Sequence, residues 1–127
     1  MSRKWELFLF DMIECAAKAL RYADGLTLDT FRNDPLRKDA ILRNLELLGE
    51  AAKKIPEDVR RRHPDIPWRN VAGLRDILAH SYFAVDDEVL WDVVEHHLPD
   101  LLARLEALCD AEGIDLPGPD PTPPGPA

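Results

Sequence analysis

No stretch of this chain approaches the roughly 20 consecutive apolar residues needed to cross a bilayer, because Asp11 cuts short the first apolar run, Leu7 to Phe10. The same interruption comes too early for the hydrophobic region of a secretory leader, so the protein is expected to be cytoplasmic, with no membrane partner. Cysteine is scarce: Cys15 and Cys109 are the only two, far apart and each within a helical pattern. That excludes a disulfide framework and a zinc site and leaves buried thiols as the expectation. There is no glycine-rich phosphate loop and no serine in a nucleophile-elbow pattern. His96 and His97 are adjacent, so on a helix they diverge by about 100° and make a poor pair for one metal, with surface or core-edge positions expected. His63, just before Pro64, reads as an exposed turn residue. No metal and no cofactor is therefore expected. Positive charge is also scarce after Arg75: residues 76–127 hold one Arg or Lys against 12 Asp and Glu.

What remains is the balance of an ordinary globular protein, with 46% hydrophobic and 31% charged residues in 127. A single domain over 1–115 is expected, followed by a tail over 116–127 in which six prolines fall within the last eleven residues. Leu7, Phe10, Ile13, Ala17 and Leu20 recur at helical spacing and predict the buried face of a first helix over Trp5–Ala23, stopped by Gly25. A polar connection is expected over residues 29–35. Ile41, Leu42, Leu45, Leu48, Ala52 and Ile55 predict a second helix ending before Pro56, and Pro56-Glu57-Asp58 opens a short helix over Val59–His63. Trp68 opens another, with Val71, Leu74, Ile77 and Leu78 on its apolar side. Asp86 reads as the N-cap of a last long helix lined by Val89, Leu90, Val93, Val94, Leu98, Leu101, Leu102, Leu105 and Leu108, which Pro99 should kink without ending. Helix follows helix with no strand alternation, so the predicted fold is an all-α antiparallel helical bundle.

The net charge of -8 conceals an uneven distribution. Residues 32–75 carry 11 Arg and Lys against 7 Asp and Glu, a local +4 able to meet a polyanion. At the end of that stretch stands Arg75-Asp76-Ile77-Leu78-Ala79-His80-Ser81-Tyr82, written R-x4-H-x-Y. Histidine passes protons in either direction near neutrality, and arginine presents a permanent planar charge to phosphate oxygens. Together they suffice for metal-free RNA cleavage, in which a base activates a 2′-hydroxyl and an acid protonates the leaving 5′-oxygen. One histidine cannot serve as both separate groups at once. A two-fold homodimer would supply two copies of His80 and of Arg75 to one cleft. On a continuous helix Arg75 and His80 point about 140° apart, so either the helix loosens near Ala79 or convergence occurs between subunits. Asp76 lies four residues before His80, where its carboxylate could orient the imidazole. The plainer alternative is an exposed Arg and His with Tyr82 in the core.

The wider string from Ile66-Pro67-Trp68-Arg69-Asn70-Val71-Ala72-Gly73-Leu74 through Arg75 to Asp86 resembles the HepT-like family of HEPN-domain proteins. Arg43-Asn44-Leu45-Glu46-Leu47-Leu48-Gly49-Glu50-Ala51-Ala52-Lys53 resembles the same family's second helix, and the likeness runs from about Leu7 to Leu108. The resemblance implies a homodimeric HEPN-like bundle of four to five helices, acting as the toxin of a type VII-like toxin-antitoxin pair with metal-independent endoribonuclease activity. Arg75 and His80 match the family's catalytic pair, and Asp76 falls where the wider family often has a polar residue. The implied partner is an MntA-type nucleotidyltransferase antitoxin that transfers AMP to the motif tyrosine, here Tyr82. Arg43, Lys53, Lys54, Arg60, Arg61, Arg62 and Arg69 are the basic candidates for guiding RNA. The competing reading is a non-catalytic helical binding subunit that serves as the modification substrate of a nucleotidyltransferase.

Overall fold

The computed structural model describes residues 4–80 and 86–116, without the side chains of Ile77, Ala79 and His80. The expectations for Tyr82, for the imidazole of His80 and for the proline-rich tail lie outside the described residues. Among those described, every regular element is helical: α1 (Trp5–Ala23), α2 (Leu28–Arg32), α3 (Pro35–Ala52), α4 (Glu57–Arg62), α5 (Trp68–His80), α6 (Asp87–Asp92), a π-helical turn (Val93–His97) and α7 (Leu98–Ala111). The all-α bundle expected from the spacing of apolar residues is present. Helix α3 packs on both α1 and α5, and α7 packs on α1, around one continuous core. Cys15 and Cys109 are both buried in it as free thiols, and burial pushes both thiols up from their ordinary pKa.

The polar connection expected over residues 29–35 is in part a helix. Thr27 and Thr30 form a reciprocal capping box that starts α2, and Phe31 drops into the core with no exposed surface. The Asp34 carboxylate accepts from the Arg37 amide, and Pro35 occupies the first turn of α3, where its missing N–H leaves no donor unpaired. Two threonines three apart were the sequence signal for this element.

On α1 the buried face is rotated from the one that spacing suggested. Leu9, Met12, Cys15, Ala16, Ala19 and Ala23 are buried, whereas Phe10, Ile13 and Leu20 are half-buried and Leu7 is 41% exposed. Both stripes satisfy a 3.6-residue period. The buried stripe includes the small residues Ala16, Ala19 and Ala23, which allow neighbouring helices to approach closely, and the bulkier stripe stays at the boundary.

The last helix runs on past Pro99, as expected, by way of a π-helical turn, and differs from expectation at Val89. Pro99 cannot donate a backbone hydrogen bond, and its ring would press on the carbonyl of Glu95. The conflict is absorbed in the π-helical turn just before it, where the Leu98 amide reaches back to Val93 O. The wider turn adds one residue to the helical register, after which Leu98, Leu101, Leu105 and Leu108 return to the core. On the near side Trp91 is buried and stacks obliquely on Phe31 at 5.2 Å, while Val89 is 60% exposed.

At its far end α7 closes in a Schellman motif. Gly113 takes φ +68°, the Ile114 amide bonds Cys109 O at 2.8 Å, and the Gly113 amide bonds Asp110 O at 3.2 Å. The turn sets Glu112 against α4: its carboxylate accepts two bonds from Arg62, at 2.7 and 3.1 Å, and one from His63 Nε2 at 2.8 Å. His63 is thus largely covered and paired, not an exposed turn residue. These donors, Arg62 first, hold the Glu112 carboxyl down at about 2.

Two glycines inside helices predict opposite outcomes for the same substitution. A Cβ at Gly49 would lie 2.7 Å from Arg75 N and 2.9 Å from Val71 O, both backbone, whereas one at Gly73 meets nothing within 4 Å. Gly49→Ala should cost about 1–3 kcal/mol by forcing α3 and α5 apart. Gly73→Ala should add about 1 kcal/mol of helix propensity, and urea denaturation of the two variants checks both signs. The Glu112 clamp stabilises the fold fully above the ordinary carboxyl pKa of 4.5 and is lost as pH falls toward about 2. Glu112→Gln should therefore cost about 1 kcal/mol at neutral pH, and its melting temperature should converge on that of the wild type as pH falls through that window.

Candidate functional site

The crossing of α3 and α5 positions the charged residues of the R-x4-H-x-Y segment. With no side chain at Gly49, the backbone of α5 at Val71 and Arg75 comes against α3. The next turn of α3 then faces the same segment: Glu50 Oε2 forms an ion pair with Arg75 Nε at 3.0 Å, and Lys53 Nζ donates to Asp76 Oδ1 at 2.9 Å. Arg75 NH1 lies 3.5 Å from the same Asp76 oxygen. Each of these side chains stays partly exposed, with Arg75 at 39%, so the guanidinium is oriented from beneath while remaining open to an incoming phosphate.

The Asp76 carboxylate is held across the helix crossing by the Lys53 ammonium and approached by Arg75, and the Lys53 hydrogen bond is the largest cause of its lowered pKa. Its expected contact with the imidazole four residues on lies outside the described side chains. Sequence reasoning gave no role to Glu50 or to Gly49; a glycine within an otherwise strong helical pattern was the available signal for a close approach.

The backbone of α5 is helical from Trp68 through His80. The loosening near Ala79 that offered one route to convergence does not occur. Arg75 and His80 are thus set at positions about 140° apart around one helix.

The basic candidates separate into two groups. Lys53, Arg60, Arg61 and Arg69 line a single open cleft of about 590 Å³ between the end of α3, α4 and the start of α5. Trp68, Ala72 and Gly73 also line it, with Glu57 and Asp76 as its carboxylates. Trp68 is fixed by donating from Nε1 to His63 O at 2.9 Å. Within the cleft Arg61 pairs with Glu57 at 2.9 Å, but the buried Nε of Arg60 has no hydrogen-bond partner. Arg43 pairs with Glu46 and sits about 15 Å along α3 from Lys53. Arg62 is committed to Glu112 and Asp58, and Lys54 is exposed outside the cleft lining.

Among the described residues no three His, Cys, Asp or Glu side chains gather as a metal site, and no helix is long and apolar enough to cross a membrane. His96 and His97 are exposed, as expected from their adjacency.

The chain matches the family described as "Ribonuclease HepT-like" over residues 12–108. A relative from Thermococcus cleftensis, named "Probable ribonuclease HepT", is 39% identical over 108 residues, which is 85% of this chain and 98% of the relative. A Methanocaldococcus jannaschii protein with a provisional RNase designation, MJ0127, is 37% identical over 85% of this chain and 90% of its own length. A second from the same organism, MJ1216, is 36% identical over 89% and 94%. No solved structure matches the chain.

The pairing of Asp76 predicts its titration. By carboxyl-detected NMR it should titrate below the ordinary value of 3.8, and Lys53→Gln should move it back toward that value. An Asp76 that titrates normally in the wild type would show that Lys53 is engaged elsewhere in solution.

Proposed function

Because the chain belongs to the HepT-like ribonuclease family, we propose that it is the toxin of a type VII-like toxin-antitoxin pair and cleaves RNA without a metal, at a cleft shared by two copies in a homodimer. The observation that carries this reading is the anchoring of Arg75 by Glu50 beside a cationic cleft in an otherwise acidic protein. Because α5 runs unbroken to His80, one chain offers no turn that would swing positions 75 and 80 to one side. A second copy related by a two-fold axis resolves this by presenting each residue twice.

In the reaction, one His80 takes the proton of a ribose 2′-hydroxyl as that oxygen attacks the adjacent phosphorus. The other His80 gives a proton to the departing 5′-oxygen, leaving a 2′,3′-cyclic phosphate and a 5′-hydroxyl. The Arg75 guanidiniums stabilise the charge that builds on the non-bridging oxygens. Neutralisation follows from AMP transfer by an MntA-type nucleotidyltransferase: the Tyr82 oxygen bonds to the α-phosphorus of ATP and pyrophosphate leaves. An anionic adenylate two residues from His80 would occupy the cleft and repel the phosphates of RNA.

Unmodified protein should cleave RNA in EDTA. His80→Ala should lower the rate by about 10²–10⁴ while sedimentation still shows a dimer, and Arg75→Ala should lower it by about 10²–10³. If the wild type leaves RNA whole in EDTA, the chain is instead the non-catalytic modification substrate of its partner. Incubation with the nucleotidyltransferase and ATP should add one or more AMP masses to the tryptic peptide holding Tyr82; a Tyr82→Phe protein neutralised as before would remove that tyrosine from the mechanism.

A further inference from the structure

Four glycines fall among the described residues, and three have an evident reason within the chain. Gly25 and Gly113 adopt φ of +81° and +68°, and Gly49 is where α3 and α5 touch. Gly73 has none. It sits inside α5, where glycine costs about 1 kcal/mol relative to alanine, and an added Cβ would enter open space. That open space is the cationic cleft, since Gly73 lines it together with Ala72. A glycine whose missing side chain serves no neighbour in the chain suits a surface that something else must approach closely.

The charges around Gly73 indicate the chemistry of that ligand. Arg60 lines the cleft, is half-buried and forms no ion pair among the described residues, so its charge is not taken up by a carboxylate. Arg69 is exposed on the first turn of α5 and forms no ion pair among the described residues. Lys53 and Arg61 are paired with Asp76 and Glu57 at solvent-exposed sites, where such pairs are weak and can yield to a phosphate. Four cations thus face two carboxylates in a chain of net charge -8. The cleft is open and, at about 590 Å³, larger than a single phosphate requires.

We propose that this cleft is a backbone-binding site for single-stranded RNA, in which a phosphodiester lies against the bare helix at Gly73 between Arg60 and Arg69. The cleft is formed by residues of a single protomer. Its role is to hold the strand on its way to or from Arg75, one residue from the cleft-lining Asp76. The proposal relies on the ribonuclease reading only for the identity of the polymer. A phosphate of a free nucleotide would use the same donors, so the test separates the two sources.

The test measures fluorescence anisotropy of a short labelled 2′-O-methyl RNA, which cannot be cleaved, in EDTA at several salt concentrations. Gly73→Glu is the diagnostic variant: its Cβ meets nothing within 4 Å, so the fold should hold, while charge and bulk enter the cleft. Binding should weaken at least about tenfold. Arg60→Gln and Arg69→Gln should each lower the salt slope by about 1. Leu36→Glu, which adds the same charge about 20 Å along α3 from Gly49, the point where α3 meets α5, should bind as the wild type does. Equal binding by Gly73→Glu and Leu36→Glu would overturn the proposal. So would AMP or ATP binding at the cleft more tightly than the RNA, since the site would then be a nucleotide pocket. Loss of binding in Gly73→Glu with an inert wild type in the cleavage assay would sink the nuclease and keep the cleft. Cleavage with unaltered Gly73→Glu binding would do the reverse.

Discussion

The close approach of α3 and α5 at Gly49 is the contact on which the candidate site depends. With hydrogen in place of a side chain, the α3 surface meets the α5 backbone at Val71 and Arg75, and the charged side chains one turn later meet as well. Glu50 and Lys53 then act as a pair of opposite charges that sort Arg75 from Asp76. A wider crossing would leave four long side chains to find one another through solvent, where each pairing is worth little and the order is not specified. Rigid backbone contact makes the ionic arrangement reproducible, which a group intended for phosphate chemistry needs.

Charge is partitioned by the same architecture. The acidic last helix uses Glu112 to secure α4 through Arg62 and His63, while Glu88 and Asp87 reach Arg32 and Lys38 near the start of α3. Those contacts engage Arg62, Arg32 and Lys38. Lys53, Arg60, Arg61 and Arg69, with weak partners or none, line one cleft. A polyanion approaching a protein of net charge -8 would therefore be guided to one region, because at ordinary ionic strength a charge is felt over only about 8–10 Å.

Much of the fold was legible because helical periodicity and its punctuation are local. Trp5, Gly25, Asp34-Pro35, Pro56, Trp68 and Asp86 mark boundaries that the structure reproduces to within a few residues. The failures are equally physical. Leu7, Phe10 and Ile13 have the spacing of a buried face, but α1 carries two apolar stripes, and the choice between them is made by packing against other helices. Pro99 announced a disturbance, although its resolution as a π-helical turn depended on returning Leu98 and Leu101 to the core.

For the site, the residue types and the motif were written in the chain: Arg75, His80 and Tyr82 at their spacing, the +4 stretch from 32 to 75, and the family likeness that relatives in Thermococcus and Methanocaldococcus bear out. Those features are properties of covalent order. Tertiary structure alone decided that Asp76 answers to Lys53, that Glu50 steadies Arg75, that Arg62 is structural, and that four scattered cations share a cleft with Gly73. Each of these joins residues on different helices, and pairing across helices depends on crossing distance and rotation, quantities that no local spacing encodes.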